Sequence, residues 1–285
     1  MHARWPSGLL LFIGLVLAPL PAAAATHQVT AHSMRITRRE GVVILNFPQG
    51  LRVLSSDGYT VSAGSGRVVL KSAGFKPLEE EEGAAAAGDL PPLPRMAFSS
   101  KNVRLMEFGR GARLSSSRYE VSAGSLMSTD GGSTWKLAGG VSFKDVDSGQ
   151  RVEGRSFVFA RQDMTLTTAE AIELGSFAAG REAVSLQSGA TTIHLEQKTA
   201  FLNGEATFAL RGYSLVAEDM SIDLAGGLLR ATGSPKFVGR GSVLYADEVE
   251  VRFVEGEARI SAKELHGSLA VDLEADASEN HLQQD

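Results

Sequence analysis

Apolar and polar residues alternate along most of this chain in short runs, and several runs end in the same small step. They read Tyr59-Thr-Val-Ser-Ala63, Tyr119-Glu-Val-Ser-Ala123, Tyr213-Ser-Leu-Val-Ala217 and Ser242-Val-Leu-Tyr-Ala246, the last two followed by a pair of acids. A weaker copy is Met164-Thr-Leu-Thr-Thr-Ala169. A period of two belongs to a strand with one buried face. A strand unit that recurs along a chain cannot bury its apolar face alone, so it stacks on its neighbours. The expected fold class is therefore all-β.

Between 29 and 70 the pattern predicts strands and turns in quick succession. Residues 42–45 are apolar, Phe47-Pro-Gln-Gly50 turns, Leu51 and Val53 alternate, Ser55-Ser-Asp-Gly58 turns again, and Tyr59, Val61 and Ala63 share a face. Residues 71–95 break this rhythm with acids, alanines and prolines, and are expected to form a loop inserted into one continuous sheet rather than an interdomain linker. Strand-sized runs resume at 102–105, 113–123, 135–143, 151–160 and 164–174, and are most regular from 191 to 261, where Gly, Asn-Gly or Ser-Pro part them. Between Ala217 and Met220 the apolar residues move from odd to even positions, which predicts a bulge or a corner where the strand leaves one sheet for another. Val243, Tyr245, Val249, Val251 and Phe253 share one parity and are expected to face inward, with Asp247 marking a bend and Glu248, Glu250 and Arg252 facing water.

The N-terminus changes the picture. His2, Arg4 and Trp5, an apolar run over 8–18 and the small residues of 19–25 make the three zones of a secretory signal peptide, residues 1–25. The apolar run is far shorter than the ~20 residues of a bilayer span, so cleavage near Ala24 or Ala25 is expected, and an extracytoplasmic mature chain with it. None of the 285 residues is cysteine, which leaves burial and backbone pairing to supply stability and points to a bacterial periplasm. The 31 glycines suit many short strands with tight turns. Net charge is −5 and the basic residues are scattered, so no nucleic-acid partner is expected. Residues 276–285 read as a flexible tail.

No residue constellation argues for catalysis. The six histidines are dispersed, and His27, His32, His194 and His266 are expected to be surface or strand-end residues without a metal. A Gly-x-Ser-x-Gly elbow, a His-Glu-x-x-His helix and a phosphate loop are all missing. The acid pairs Glu218-Asp219 and Asp247-Glu248 occupy neighbouring strand positions that point to opposite faces, so neither pair can present two carboxylates to one substrate atom. The expectation is a non-enzyme that needs no cofactor.

Three short steps occur in order in the last third: Leu215-Val-Ala217-Glu-Asp219, Ala231-Thr-Gly233-Ser-Pro235-Lys-Phe237 and Leu244-Tyr-Ala246-Asp-Glu248. Through them residues 195–265 resemble the OstA-like family, periplasmic β-jellyroll proteins that carry lipopolysaccharide from the inner to the outer membrane of Gram-negative bacteria. The resemblance implies an open, twisted β-jellyroll over 26–275: a V-shaped stack of two sheets built from many short antiparallel strands. It also implies an apolar groove for acyl chains, lined by Leu215, Ile222, Leu224, Phe237, Tyr245, Val249, Val251 and Phe253. Lipopolysaccharide or a related lipid would be the cargo. Edge strands would pair with partner jellyrolls by strand addition or join copies into a homo-oligomer. The alternative is a secreted structural or adhesive β-solenoid without lipid cargo.

Overall fold

The computed structural model describes residues 24–72, 76–77, 95–175, 184–210, 212–239, 242–254 and 257–266. The expected tail, nearly all of the signal peptide and most of 71–95 lie outside them. The alternating runs become antiparallel strands, each rung crossing a corner between two sheets. The first rungs are broken at that corner: β1 (Thr26–Ala31) with β2 (Arg35–Arg39), β3 (Val42–Phe47) with β4 (Leu51–Ser55), and β5 (Tyr59–Ala63) with β6 (Ser65–Lys71). The short β7 (Lys76–Pro77) and β8 (Arg95–Ser99) follow, and β8 pairs with β1. Next, β9 (Val103–Ser116), β10 (Tyr119–Ser128), β11 (Thr134–Asp145) and β12 (Arg151–Ala160) pass through the corner unbroken. The chain continues with β13 (Thr165–Thr168) and β14 (Ile172–Gly175), then β15 (Val184–Gln187) and β16 (Ala190–His194), then the long β17 (Thr199–Leu210) and β18 (Tyr213–Asp223). It ends with β19 (Leu228–Thr232) and β20 (Lys236–Gly239), β21 (Ser242–Val254) and β22 (Glu257–His266).

Register separates the two sheets. Residues 113–116 of β9 pair with β5, whereas 103–109 pair with β6. Likewise 151–154 of β12 pair with β14 and 158–160 with β13, and 213–216 of β18 pair with β20 and 219–223 with β19. The first sheet therefore holds β8, β1, β4, β5, β14, β15 and β20, the second β2, β3, β6, β13, β16 and β19, and the long strands belong to both. Pairing slips at the corner, between Ser122 and Ser125 of β10, Ala138 and Val141 of β11, and Asn203 and Ala206 of β17. In β11 the turn is made by Gly139 and Gly140, both left-handed, a conformation that costs glycine little. The strands before and after 71–95 share these sheets, since β9 pairs with β5 and β6.

The recurring Tyr-x-Val-x-Ala step now has a physical meaning. Ala63, Ala123, Ala217 and Ala246 are the last inward residues before the corner on strands that pass from the first sheet to the second. Two sheets that share a corner converge there, leaving room for a methyl group, and diverge away from it. Inward residues grow accordingly, from Ala123 through Val121 to Tyr119 on β10 and from the half-buried Ala63 through Val61 to Tyr59 on β5. Large rings meet across the wider part: Tyr59 with Trp135 at 6.1 Å, Tyr119 with Phe159 at 5.0 Å, and Phe208 with Phe253 at 5.3 Å. One apolar core runs along the wedge from Val29 to Phe253.

The expected change of parity in β18 is present, with Leu215 and Ala217 buried before the corner and Met220 and Ile222 after it. A second flip, in β21, was not expected. There β20 is the neighbour through Tyr245 and β19 from Glu248 onward, and the strand turns over in between. Leu244 and Ala246 take the inward positions on one side, and Val249, Val251 and Phe253 on the other. Tyr245 is corrected by this: it is 45% exposed on the outer face, with the Lys236 ammonium 5.7 Å above its ring.

Candidate functional site

The flank opposite the corner is where the two sheets are free of each other's strands. Hairpin loops there join neighbours within one sheet: 56–58, 117–118 and 146–150 end the first, and 129–133, 161–164, 195–198 and 224–227 end the second. Among the described residues the chain crosses this flank at Ser100–Asn102, where the Ser100 N–H donates to the Ala25 carbonyl at 2.7 Å. Elsewhere among the described residues, side chains bridge it.

The 129–133 loop organises that closure. Asp130 Oδ1 accepts from the Ser128 hydroxyl (2.8 Å) and the N–H groups of Ser133 (3.1 Å) and Thr134 (3.0 Å), while Ser128 Oγ accepts from the Gly132 N–H (2.9 Å). Burial alone would push the Asp130 carboxyl up, but these donors outweigh it and hold the group below the usual carboxylate range. The loop aims two successive carbonyls inward. Gly131 O accepts from His27 Nε2 at 3.0 Å and, at 3.5 Å, from the Tyr59 hydroxyl; Gly132 O accepts from Trp135 Nε1 at 3.1 Å and Arg161 Nε at 2.9 Å. Gly132 is left-handed, and a Cβ on it would overlap the Tyr59 hydroxyl, so no other residue fits.

His27 and Tyr59 lie on the first sheet and Gly131, Gly132 and Trp135 at the end of the second, so the two bonds to Gly131 O tie sheet to sheet, while those to Gly132 O brace the end of the second sheet. Arg161 adds to them: its Nη2 is 2.9 Å from Asp57 Oδ2 in the β4–β5 turn, and its guanidinium lies 4.3 Å over the Tyr59 ring. Further along the flank Arg118 and Glu196 make a 2.6 Å ion pair between the same two ends. Burial lowers the pKa of His27, a trend the Gly131 bond only partly reverses, so the imidazole is held neutral. Burial likewise pushes the Tyr59 phenol up to about 12.

Seven of the eight residues expected to line a groove come together on the inner faces. Leu215, Ile222, Leu224, Phe237, Val249, Val251 and Phe253 are all within 6% of full burial and belong to the common core. They touch the protein's own side chains, so the wedge is closed at these positions, and Tyr245 is on the other side of the sheet. Clefts of about 640 and 690 Å³ do occur, the first along Phe47, Gly66, Phe108 and Met127, the second along Ala31, His32, Gly50 and Leu51. Neither contains an expected groove residue.

The flank cluster was not foreseen: His27 was expected to be a surface or strand-end residue, and it stands at the end of β1 but is completely buried. It alternates in phase with Val29 and Ala31 on β1, a parity that could have identified it. Among the described residues no group of three or more His, Cys, Asp or Glu stands close enough to hold a metal, and no helix is long and apolar enough to cross a membrane.

No family model and no curated protein matches the chain. Among solved structures it is similar, over 48% of its length and 85% of the other chain, to LptH, described as the LptA-homologous periplasmic component of the lipopolysaccharide transport device of Pseudomonas aeruginosa. Identity is 7% and the TM-score 0.24, a likeness too loose to bear on function. The all-β architecture, with antiparallel strands in stacked sheets, stands on the strand pairing itself.

Proposed function

We propose that the protein is a non-enzymatic, lipid-binding component of lipopolysaccharide transport to the outer membrane. It is exported to the periplasm by a cleaved signal peptide, folds as one continuous jellyroll over 26–275, and holds acyl chains between its two sheets. The observation that supports this most is the wedge: two sheets share every rung at one corner, diverge over an aromatic interior, and meet again at the far flank largely through side chains. Apolar chains gain about 0.8 kcal/mol for each CH₂ group buried, while sugars and phosphates at the flank stay in water. Partner jellyrolls or further copies join at the end strands. β2 pairs only with β3 and β22 only with β21 among the described residues, which leaves edges for strand addition.

The filled interior favours a second reading, a secreted structural or adhesive β-solenoid whose core needs no cargo. Photo-crosslinking separates the two. A benzophenone side chain at Leu224 or Val251 captures tritiated lipopolysaccharide if chains enter the wedge, while the same group at Tyr245 or Glu250, on the outer face, does not. Capture only at the outer positions, or at none, leaves the solenoid.

A further inference from the structure

The corner and the flank are held by different forces. At the corner every rung is continuous backbone, and Gly64 and Gly124 let neighbouring strands come so close that a Cβ on either would lie 2.8 and 2.9 Å from its nearest neighbour. At the flank, apart from the chain crossing at Ser100–Asn102, the described residues join the sheets by the side-chain contacts given above, and these concentrate on Arg161. Only 13% of its side chain is exposed, it starts from the loop after β12 on the second sheet, and it reaches Gly132 O on that sheet and both Asp57 and Tyr59 on the first. Behind it lie Trp135 and Tyr59, then the Tyr119–Phe159 contact between the sheets.

We propose that this flank is a gate, hinged at the glycine corner and latched by Arg161 to Asp57 and Tyr59, with Arg118–Glu196 as a second catch, and that it opens to admit acyl chains. The gate rests on the lipid-carrying reading above and explains how a closed wedge can take cargo. Opening breaks two ion pairs and the bonds of His27 and Tyr59 to the Gly131 carbonyl, all of which water can replace at the flank, and leaves the sheet pairing intact. Acyl chains then take over the ring-to-ring contacts that the closed form makes across the wedge. Both ion pairs involve carboxylates more than two-fifths exposed, so they give way easily to solvent or to a headgroup.

The test reads sheet separation and cargo independently. The chain has no native cysteine, so spin labels go at Leu54→Cys and Val158→Cys, exposed positions on the outer faces of the first and second sheets. The distance between them is measured by electron–electron double resonance with and without lipopolysaccharide, and bound tritiated lipopolysaccharide is counted in parallel. The unliganded protein gives one narrow distance, lipid adds a longer one, and Arg161→Ala populates the longer distance without lipid while speeding lipid uptake several-fold. If Arg161→Ala does not fold, Asp57→Ala/Glu196→Ala, altered only at exposed side chains, gives the same shift to a smaller extent. A distance unchanged by lipid and by the variants, with lipid bound in all of them, overturns the gate. A longer distance in the variants with no lipid bound upholds the latch and overturns the lipid-carrying reading instead.

Discussion

Replacing Gly124 by alanine tests the wedge at its narrowest point. A Cβ there would sit 2.9 Å from the Gly139 carbonyl oxygen, 3.2 Å from its Cα and 3.3 Å from the Ala138 oxygen. Non-bonded carbons are best placed at about 3.5–4.0 Å, and all three obstacles are backbone, so β10 and β11 must separate at the corner. Overpacking of this kind costs about 1–3 kcal/mol. For a chain of this size that lowers Tm by about 2–4 °C per kcal/mol. Gly140 is the contrast: it is left-handed with nothing within 4 Å of an added Cβ, so Gly140→Ala carries only the conformational cost of about 1–2 kcal/mol. The assay is urea unfolding followed by circular dichroism, with the slope checked for constancy so that midpoints report stability. The double-variant cycle is decisive. Once Gly124→Ala has pushed the strands apart, Gly139→Ala costs less than it does alone, whereas Gly124→Ala and Gly140→Ala add. A Gly124→Ala protein as stable as the parent, or additive effects at 124 and 139, would refute the close approach on which the wedge depends.

Three further outcomes follow from the core and flank. Phe159→Ala removes the ring that meets both Tyr119 and Phe143 across the sheets and should destabilise by about 3–5 kcal/mol in the same unfolding assay. Asp130→Ala strips the acceptor from three donors of the 129–133 loop and should cost about 1–3 kcal/mol, with faster amide exchange at Ser133 and Thr134. His27 faces Tyr59, Phe98 and the Gly131 carbonyl, with Asp57 and Arg161 nearby. Because its folded pKa is lowered, the unfolded chain binds the proton first, so its contribution is complete above about pH 6.5 and is lost as pH falls below that. The free energy of unfolding, read from urea midpoints, should therefore drop between pH 7.5 and 5.5, by no more than about 1.4 kcal/mol per pH unit from this group, and His27→Gln should flatten that slope; an unchanged slope contradicts the assignment.

Strand positions and the all-β class were readable because burial imposes a period of two, and the β18 flip was readable because Met220 and Ile222 are apolar between polar neighbours at the parity opposite to Leu215 and Ala217. The β21 flip was hidden by composition. Val243 and Tyr245 are apolar, and so are Leu244 and Ala246, so alternation before the corner did not choose a face. The Ala-acid-acid step common to 217–219 and 246–248 held the missing information, since a step that marks a corner in one strand marks it in the other. Seven expected groove residues are inward for the reason first given, a shared parity on strands with one buried face. The flank cluster was illegible for a different reason: His27, Asp57, Gly131 and Arg161 are brought together by sheet closure over separations of up to 134 residues between His27 and Arg161, and no local pattern encodes such a meeting.

Acyl chains between the sheets are the claim on which the function turns, and Trp135 can report them directly. The chain has two tryptophans; Trp5 leaves with the proposed signal peptide, and Trp135 is fully buried between the sheets beside Tyr59. Lipopolysaccharide carrying dibrominated acyl chains should quench Trp135 fluorescence saturably, while the unbrominated lipid does not. Saturable binding of the same lipid with Trp135 emission untouched would mean that its chains never enter the wedge.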